Sequence, residues 1–186
     1  RSLVGLVAHE LAHSWSGNLV TNATWHDSWL NEGVTSYFEN RIMEAIYGPA
    51  RAAQEASLSW DDMQAGLREL GATSPRTSLH DPSDEMDGGS SGIVYDKGAV
   101  FLRTMERIVG RARFDAWLRS YFDRHAFEPM TSARFLADLR AKPDAAKQLL
   151  DAAHTPAAPE HDATEQAAYT VVANVLLNLD EALTKP

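Results

Sequence analysis

Apolar residues recur at three- and four-residue spacing along nearly the whole chain, a period that restricts the fold to helices packed on helices. Leu3, Leu6, Val7, Leu11 and Trp15 mark a first helix from about Ser2 to Trp15, ended by Gly17-Asn18. Asp27 or Ser28 can cap a second helix that runs to Tyr47, where Gly48-Pro49 is a stop signal. A third helix is predicted from about residue 50 to 70, closed by Gly71. Further helices are predicted over about 95–109, 112–122 and 132–140. Leu19-Val20-Thr21 reads as a short extended piece, and no persuasive β-sheet is visible. The stretch from Ala72 to Gly92, rich in Ser, Asp, Gly and Pro, is too long for an ordinary connection and reads as functional or mobile.

The expected fold class is therefore mainly α. Residues 1–140 form the main unit; residues 141–186 read as a linker and C-terminal helix of uncertain origin. The chain begins with Arg1 inside a helical pattern, with no leader-like segment, and reads as a piece of a longer protein.

Charge and cysteine content narrow the chemistry. With 17 Lys+Arg against 26 Asp+Glu the formal net charge is −9, and no basic cluster offers a nucleic-acid surface. No apolar run approaches the roughly 18 residues of a membrane span. Zero cysteines exclude a disulfide scaffold, cysteine-ligated zinc and thiol catalysis. Any metal must be held by His, Asp or Glu.

The segment His9-Glu10-Leu11-Ala12-His13 supplies such ligands. At about 100° per residue, His9 and His13 lie roughly 40° apart on one helical face, one turn apart, so both imidazoles can reach a single ion. Glu10 lies at the edge of that face, where its carboxylate can meet a metal-bound water without ligating the metal. A catalytic zinc needs a third protein ligand and an open position. Glu32, in the second turn of the predicted second helix within Trp29-Leu30-Asn31-Glu32-Gly33, is the candidate. Taken alone it reads equally as a solvated glutamate or a helix-dipole partner.

The HELAH segment, followed by eighteen residues and then Glu32, resembles the gluzincin aminopeptidase family, zinc exopeptidases that include alanyl aminopeptidase and leukotriene-A hydrolase. Gly17-Asn18-Leu19-Val20-Thr21 and Trp29–Gly33 fit that family's pattern, and Ser14-Trp15-Ser16 is most similar to the leukotriene-A hydrolase and aminopeptidase B branch. The resemblance covers roughly residues 1–140. It implies that His9, His13 and Glu32 bind one zinc ion and that Glu10 is the general base. It also implies the helical half of a thermolysin-like catalytic domain, without its β-rich lobe, acting on peptide substrates. Ile93-Val94-Tyr95-Asp96-Lys97-Gly98 resembles the stretch that supplies the family's catalytic tyrosine, which makes Tyr95 the match; outside that context it reads as a packing tyrosine at a helix start. Asp87 falls where the leukotriene-hydrolase branch has a substrate-contacting aspartate.

Other residues are more ambiguous. Glu39, seven residues after Glu32 on the same face, orients a zinc histidine or is a surface glutamate. His26, His80, His125, His154 and His161 lack partners at ligand spacing and read as surface residues. Trp15, Trp25 and Trp29 fit core packing or a substrate wall. The family's substrate-anchoring motif, Gly-x-Met-Glu-Asn, is absent from these 186 residues. The rival to a zinc metallopeptidase of aminopeptidase type is a non-catalytic module whose zinc staples helices together. Glu10 and Tyr95 favour the enzyme, since a staple needs neither.

Overall fold

The computed structural model describes residues 2–71, 73–80 and 92–140. Six α-helices dominate: α1 (Leu3–Ala12), α2 (Glu32–Tyr47), α3 (Pro49–Leu70), α4 (Ile93–Val109), α5 (Arg111–Arg124) and α6 (Ser132–Arg140). Short 3₁₀ turns occupy Trp25–Leu30 and Pro75–Thr77. The periodicity therefore located every helix of the described part, with ends displaced by a few residues. Residues 141–186, with the expected linker, terminal helix, His154 and His161, lie outside the described residues, as does Asp87.

Ser2 starts α1, its Oγ accepting the Gly5 N–H at 3.0 Å. The helix ends earlier than expected, at Ala12, because the chain turns at Gly17, whose N–H bonds the Val20 carbonyl at 2.8 Å. One-residue corners at Gly48 and Gly110, both at φ +85°, fold α2 onto α3 and α4 onto α5. A two-residue parallel ladder pairs β1 (Thr21–Asn22) with β2 (Pro129–Met130), Thr21 opposite Pro129. This small sheet lies outside what period-2 patterning can reveal.

The predicted helix from Asp27 to Tyr47 is split. Trp25–Leu30 winds as 3₁₀ and α2 starts only at Glu32, so Glu32 is in the first turn of its helix and not the second. Asp27 explains the split. Buried among its neighbours, it does not cap its own helix; it accepts from Ser132 N–H at 2.9 Å and Ser132 Oγ at 2.6 Å, capping α6. His80 Nδ1 lies 3.0 Å from the same carboxylate oxygen, and Trp29 Nε1 donates to Ser132 Oγ at 2.8 Å. Burial alone would raise the Asp27 pKa; the hydrogen bonds from His80 and Ser132 outweigh it and hold the carboxyl below its ordinary range.

The core lies where α2 and α4 meet, with α3 and α5 on their flanks. Trp29, Tyr37, Phe101, Phe114 and Phe135 are fully buried, and Trp29 meets Phe101 and Phe135 edge-on at 5.7 and 5.1 Å between ring centres. Truncating one such ring costs about 3–5 kcal/mol. Trp29 is thus a core residue, whereas Trp15 and Trp25 are exposed. Lys97 on α4 is buried and donates to the Thr77 carbonyl at 2.6 Å, pinning residues 75–80 to α4; burial pushes its ammonium down to about 8.

Candidate metal centre

The last turn of α1 faces the first turns of α2. His9 is buried and His13 partly buried, their ring centres 4.8 Å apart and their planes nearly perpendicular at 88°. Each imidazole is fixed through Nδ1. His9 Nδ1 lies 3.0 Å from Glu39 Oε2, and His13 Nδ1 lies 3.0 Å from the Ser16 carbonyl oxygen. A carbonyl and an ionised carboxylate only accept, so Nδ1 donates in both rings and Nε2 is the atom that each imidazole, in its neutral form, can offer to a metal. Thr35 Oγ1, fully buried, reinforces His13: it sits 3.2 Å from Nδ1, donates to the Ser16 carbonyl at 3.1 Å and pairs with Ser16 Oγ at 2.6 Å.

Glu32 completes the group. Its Oε2 is 3.2 Å from His9 Nε2 and 3.6 Å from His13 Nε2, and one ligand atom from each of the three residues lies within 4.8 Å of the others. Two ligands held about 2.0–2.2 Å from a tetrahedral zinc are about 3.3–3.6 Å apart. The donor set therefore fits zinc in its chemistry, and both Glu32 distances match that spacing. Burial tends to raise the Glu32 pKa, but bonding to His9, the charges of His13 and His9 and the Tyr95 hydroxyl together hold it below the ordinary value.

The approach of α2 to α4 brings Tyr95 into the group. Gly33 and Gly98 touch backbone to backbone: a Cβ on Gly33 would stand 2.7 Å from the Val94 carbonyl oxygen and 2.8 Å from Gly98 Cα. That contact places Tyr95, next to Val94, beside Glu32, next to Gly33. The Tyr95 hydroxyl donates to the Glu32 carboxylate, and its ring lies over His9 at 6.0 Å and 23°.

Of the residues singled out from sequence, the structure brings together His9, His13, Glu32, Glu39 and Tyr95. The Glu39 ambiguity resolves towards the histidine-bound arrangement. Glu10 extends from α1 exposed, and no described residue bonds it. His80 and His125 are not unpartnered surface residues: His80 meets Asp27, and His125 Nε2 lies 3.2 Å from Asp138. Sequence reading missed Ser16, Thr35 and the glycine pair. Thr35 carried a signal, three residues after Glu32 on the α1-facing side; the Ser16 carbonyl carried none.

Comparison with known proteins agrees with this geometry. The Peptidase family M1 domain matches residues 1–154. Leucine aminopeptidase 2-1 of Meyerozyma guilliermondii is 38% identical over 141 residues, which are 73% of this chain and 23% of the relative. Leukotriene A-4 hydrolase of Xenopus laevis is 40% identical over 135 residues, 71% of this chain and 22% of the relative. Yeast LTA4 hydrolase in complex with bestatin superposes with a TM-score of 0.75 at 35% identity, covering 87% of this chain and 28% of that one. An M1 zinc metallopeptidase from Deinococcus radiodurans gives 0.61 at 28% identity, covering 79% and 32%. The chain spans about a quarter of the length of the curated relatives it matches. A helical fold built around an HELAH turn and a facing glutamate, matched over most of its length by the family's own domain, places the chain in peptidase family M1.

Proposed function

We propose that this chain carries the zinc-binding and proton-transfer part of a metallopeptidase of aminopeptidase type, with peptides as substrates. His9 Nε2, His13 Nε2 and Glu32 Oε2 hold one zinc ion. The observation that carries this reading is the convergence of those three atoms within 4.8 Å, with both Glu32 distances near tetrahedral spacing and both Nδ1 atoms already engaged. When bound, zinc supplies Lewis acidity, lowering the pKa of a water towards about 7 and polarising the scissile carbonyl.

The remaining work falls to the chain's own residues. Glu10, adjacent to His9 and open to solvent, takes the proton of the attacking water on its carboxylate and delivers it to the leaving amine. Tyr95 turns its hydroxyl from Glu32 to the oxyanion as that charge develops. Glu39 and the Ser16 carbonyl keep the two imidazoles from rotating. A helix-stapling zinc requires neither a proton acceptor nor a phenol at its edge, which supports the catalytic reading.

Residues 1–140 form, in this reading, the helical half of the catalytic domain. The outer face of α1 supports it: Leu3, Val7 and Leu11 are 76%, 60% and 56% exposed, an apolar stripe that a β-rich lobe covers in the longer protein. Metal analysis of the purified chain tests the site. Stoichiometric zinc is expected in the wild type and in Glu10→Gln, and loss of it in Glu32→Ala. Equal zinc in Glu32→Ala removes Glu32 from the ligand set. In the longer enzyme Glu10→Gln is expected to lose about 10²–10⁴ in rate; near wild-type hydrolysis contradicts the general-base role.

A further inference from the structure

A second concavity of about 530 Å³ opens between α2, α3 and α4, and none of its residues belongs to the His9–His13–Glu32 group. The part contributed by α3 is small and apolar, with Ala52, Ala56 and Trp60. The part contributed by α2, α4 and the start of α5 is rich in guanidinium groups: Arg41, Arg103, Arg107 and Arg111.

Two of these arginines are matched. Arg41 clasps Asp115 through both Nη atoms at 2.9 and 3.0 Å. Arg111 clasps Glu44 at 2.8 and 2.7 Å and reaches Glu106 through Nε at 2.6 Å. Glu106 also accepts the Tyr37 hydroxyl at 2.7 Å and faces Arg41 at 3.5 Å. Asp115, Glu44 and Glu106 are thus committed to Arg41 and Arg111. Among the described residues, no carboxylate stands at ion-pair distance from Arg103, and no hydrogen bond holds it. Arg107, also without such a partner, is exposed and served by water. Burial lowers the Arg103 guanidinium from its ordinary value, and the more distant Glu106 and Glu44 only partly offset that.

A partly buried guanidinium without a counter-ion sits in a site that can take an anion. The charge count fixes which kind. Four guanidinium groups and two carboxylates, Glu44 and Glu106, line the cavity; with Asp115 pairing Arg41 from outside it, one positive charge is left in excess, and Glu44 and Glu106 repel a doubly charged group such as a phosphate monoester. A carboxylate matches both the charge and the flat two-pronged donor fork of arginine. The alanine and tryptophan surface suits an apolar body, in a volume typical of small-molecule sites.

We propose that this cavity binds a monocarboxylate with a compact apolar body, the carboxylate on Arg103 and the body against Ala52, Ala56 and Trp60. Two sources share this chemistry: a free carboxylic acid and the C-terminus of a peptide.

The test is a titration of the 186-residue chain followed by the NMR signal of the Trp60 indole N–H, with N-acetyl-L-leucine and its uncharged amide as probes. Acetylation removes the α-amine that an aminopeptidase site would select. The acid is expected to shift the Trp60 signal saturably and the amide not to, with binding at least about tenfold weaker in Arg103→Gln. Should that variant fail to fold, Arg103→Lys keeps the charge but loses the fork, and the same weakening is expected. N-acetyl-Ala-Ala-Leu distinguishes the sources: tighter binding than N-acetyl-L-leucine assigns the site to peptide C-termini, weaker or equal binding to free acids. Equal response to acid and amide, unchanged affinity in the arginine variants, or no response of Trp60 to either acid overturns the proposal.

Discussion

Gly33→Ala puts a methyl group where α2 and α4 touch, and the structure sets the scale of the damage. The new Cβ would stand 2.7 Å from the Val94 carbonyl oxygen and 2.8 Å from Gly98 Cα. Carbon contacts settle at about 3.5–4.0 Å, so the helices must part by roughly 0.7 Å or more. Both opposing atoms are backbone and cannot rotate aside. Overpacking of this kind costs about 1–3 kcal/mol, and the gain from replacing a helical glycine, about 0.5–1 kcal/mol, offsets only part of it. The metal site feels the same displacement. Glu32 and Tyr95 adjoin the contact on its two sides, and the 3.2 and 3.6 Å spacings from Glu32 to the histidines leave little slack for a tetrahedral ion. Zinc affinity is expected to fall about 10–100-fold, the range seen when a ligand's support is disturbed. Urea unfolding and competition with a coloured chelator measure the two effects. Gly66→Ala is the control: its nearest neighbours would be Ile93 side-chain carbons at 3.6 and 3.8 Å, an ordinary contact, so stability should rise by about 0.5–1 kcal/mol with zinc unaffected. If Gly33→Ala matched Gly66→Ala in both stability and zinc affinity, the helix contact would not be what places Glu32.

Three further outcomes are expected. Thr35→Val removes the hydroxyl shared by Ser16 and His13, and should cost about 1–3 kcal/mol in urea unfolding and weaken zinc in the same chelator assay. Asp27→Asn should cost roughly 1.5–3 kcal/mol near neutral pH. Because the folded Asp27 pKa lies below its ordinary 3.8, its stabilisation is present above about pH 4 and lost as pH falls through the folded value; unfolding curves down to acid pH should show a shallower acid limb in the variant. Tyr95→Phe, in the longer zinc-loaded enzyme, should lower kcat by about 10²–10³ with KM within a few-fold and zinc content unchanged, as steady-state kinetics and metal analysis would show.

The helices and the histidine pair were legible in the sequence because both are local, whereas Glu32 was singled out as a ligand only through the family resemblance. Periodicity reports which residues share a face, and a four-residue histidine spacing reports a turn of helix. What the sequence hid depends on partners far along the chain. Asp27 reads as a cap for the helix that follows it, yet its carboxylate is taken by Ser132, 105 positions later, and α2 starts only after Asn31. His80 and His125 look unpartnered because their carboxylates come from other elements. The Gly33–Gly98 contact joins two glycines that each look like an isolated blemish in a helical pattern. A main-chain acceptor such as the Ser16 carbonyl has no residue type to betray it.

These hidden contacts decide how much ordering a metal must bring about. Glu32 and Glu39 lie on the same side of α2 and bracket His9, one near Nε2 at 3.2 Å and the other near Nδ1 at 3.0 Å. Gly5, one turn before His9, leaves room for the second of them: a Cβ there would come within 3.1 Å of Glu39 Oε1. His13 is tied to the turn that follows its own helix, and that turn is tied back to α2 through Ser16 and Thr35. Both rings are therefore held from two directions without any contribution from the ion. Side chains immobilised in this way lose little rotational freedom on binding, so most of the interaction with the proposed zinc ion would remain as affinity. The same bracing separates two neighbouring residues on α1: His9 is buried and clamped, while Glu10 is exposed and, among the described residues, unbonded, which suits the proton-carrying role proposed for it.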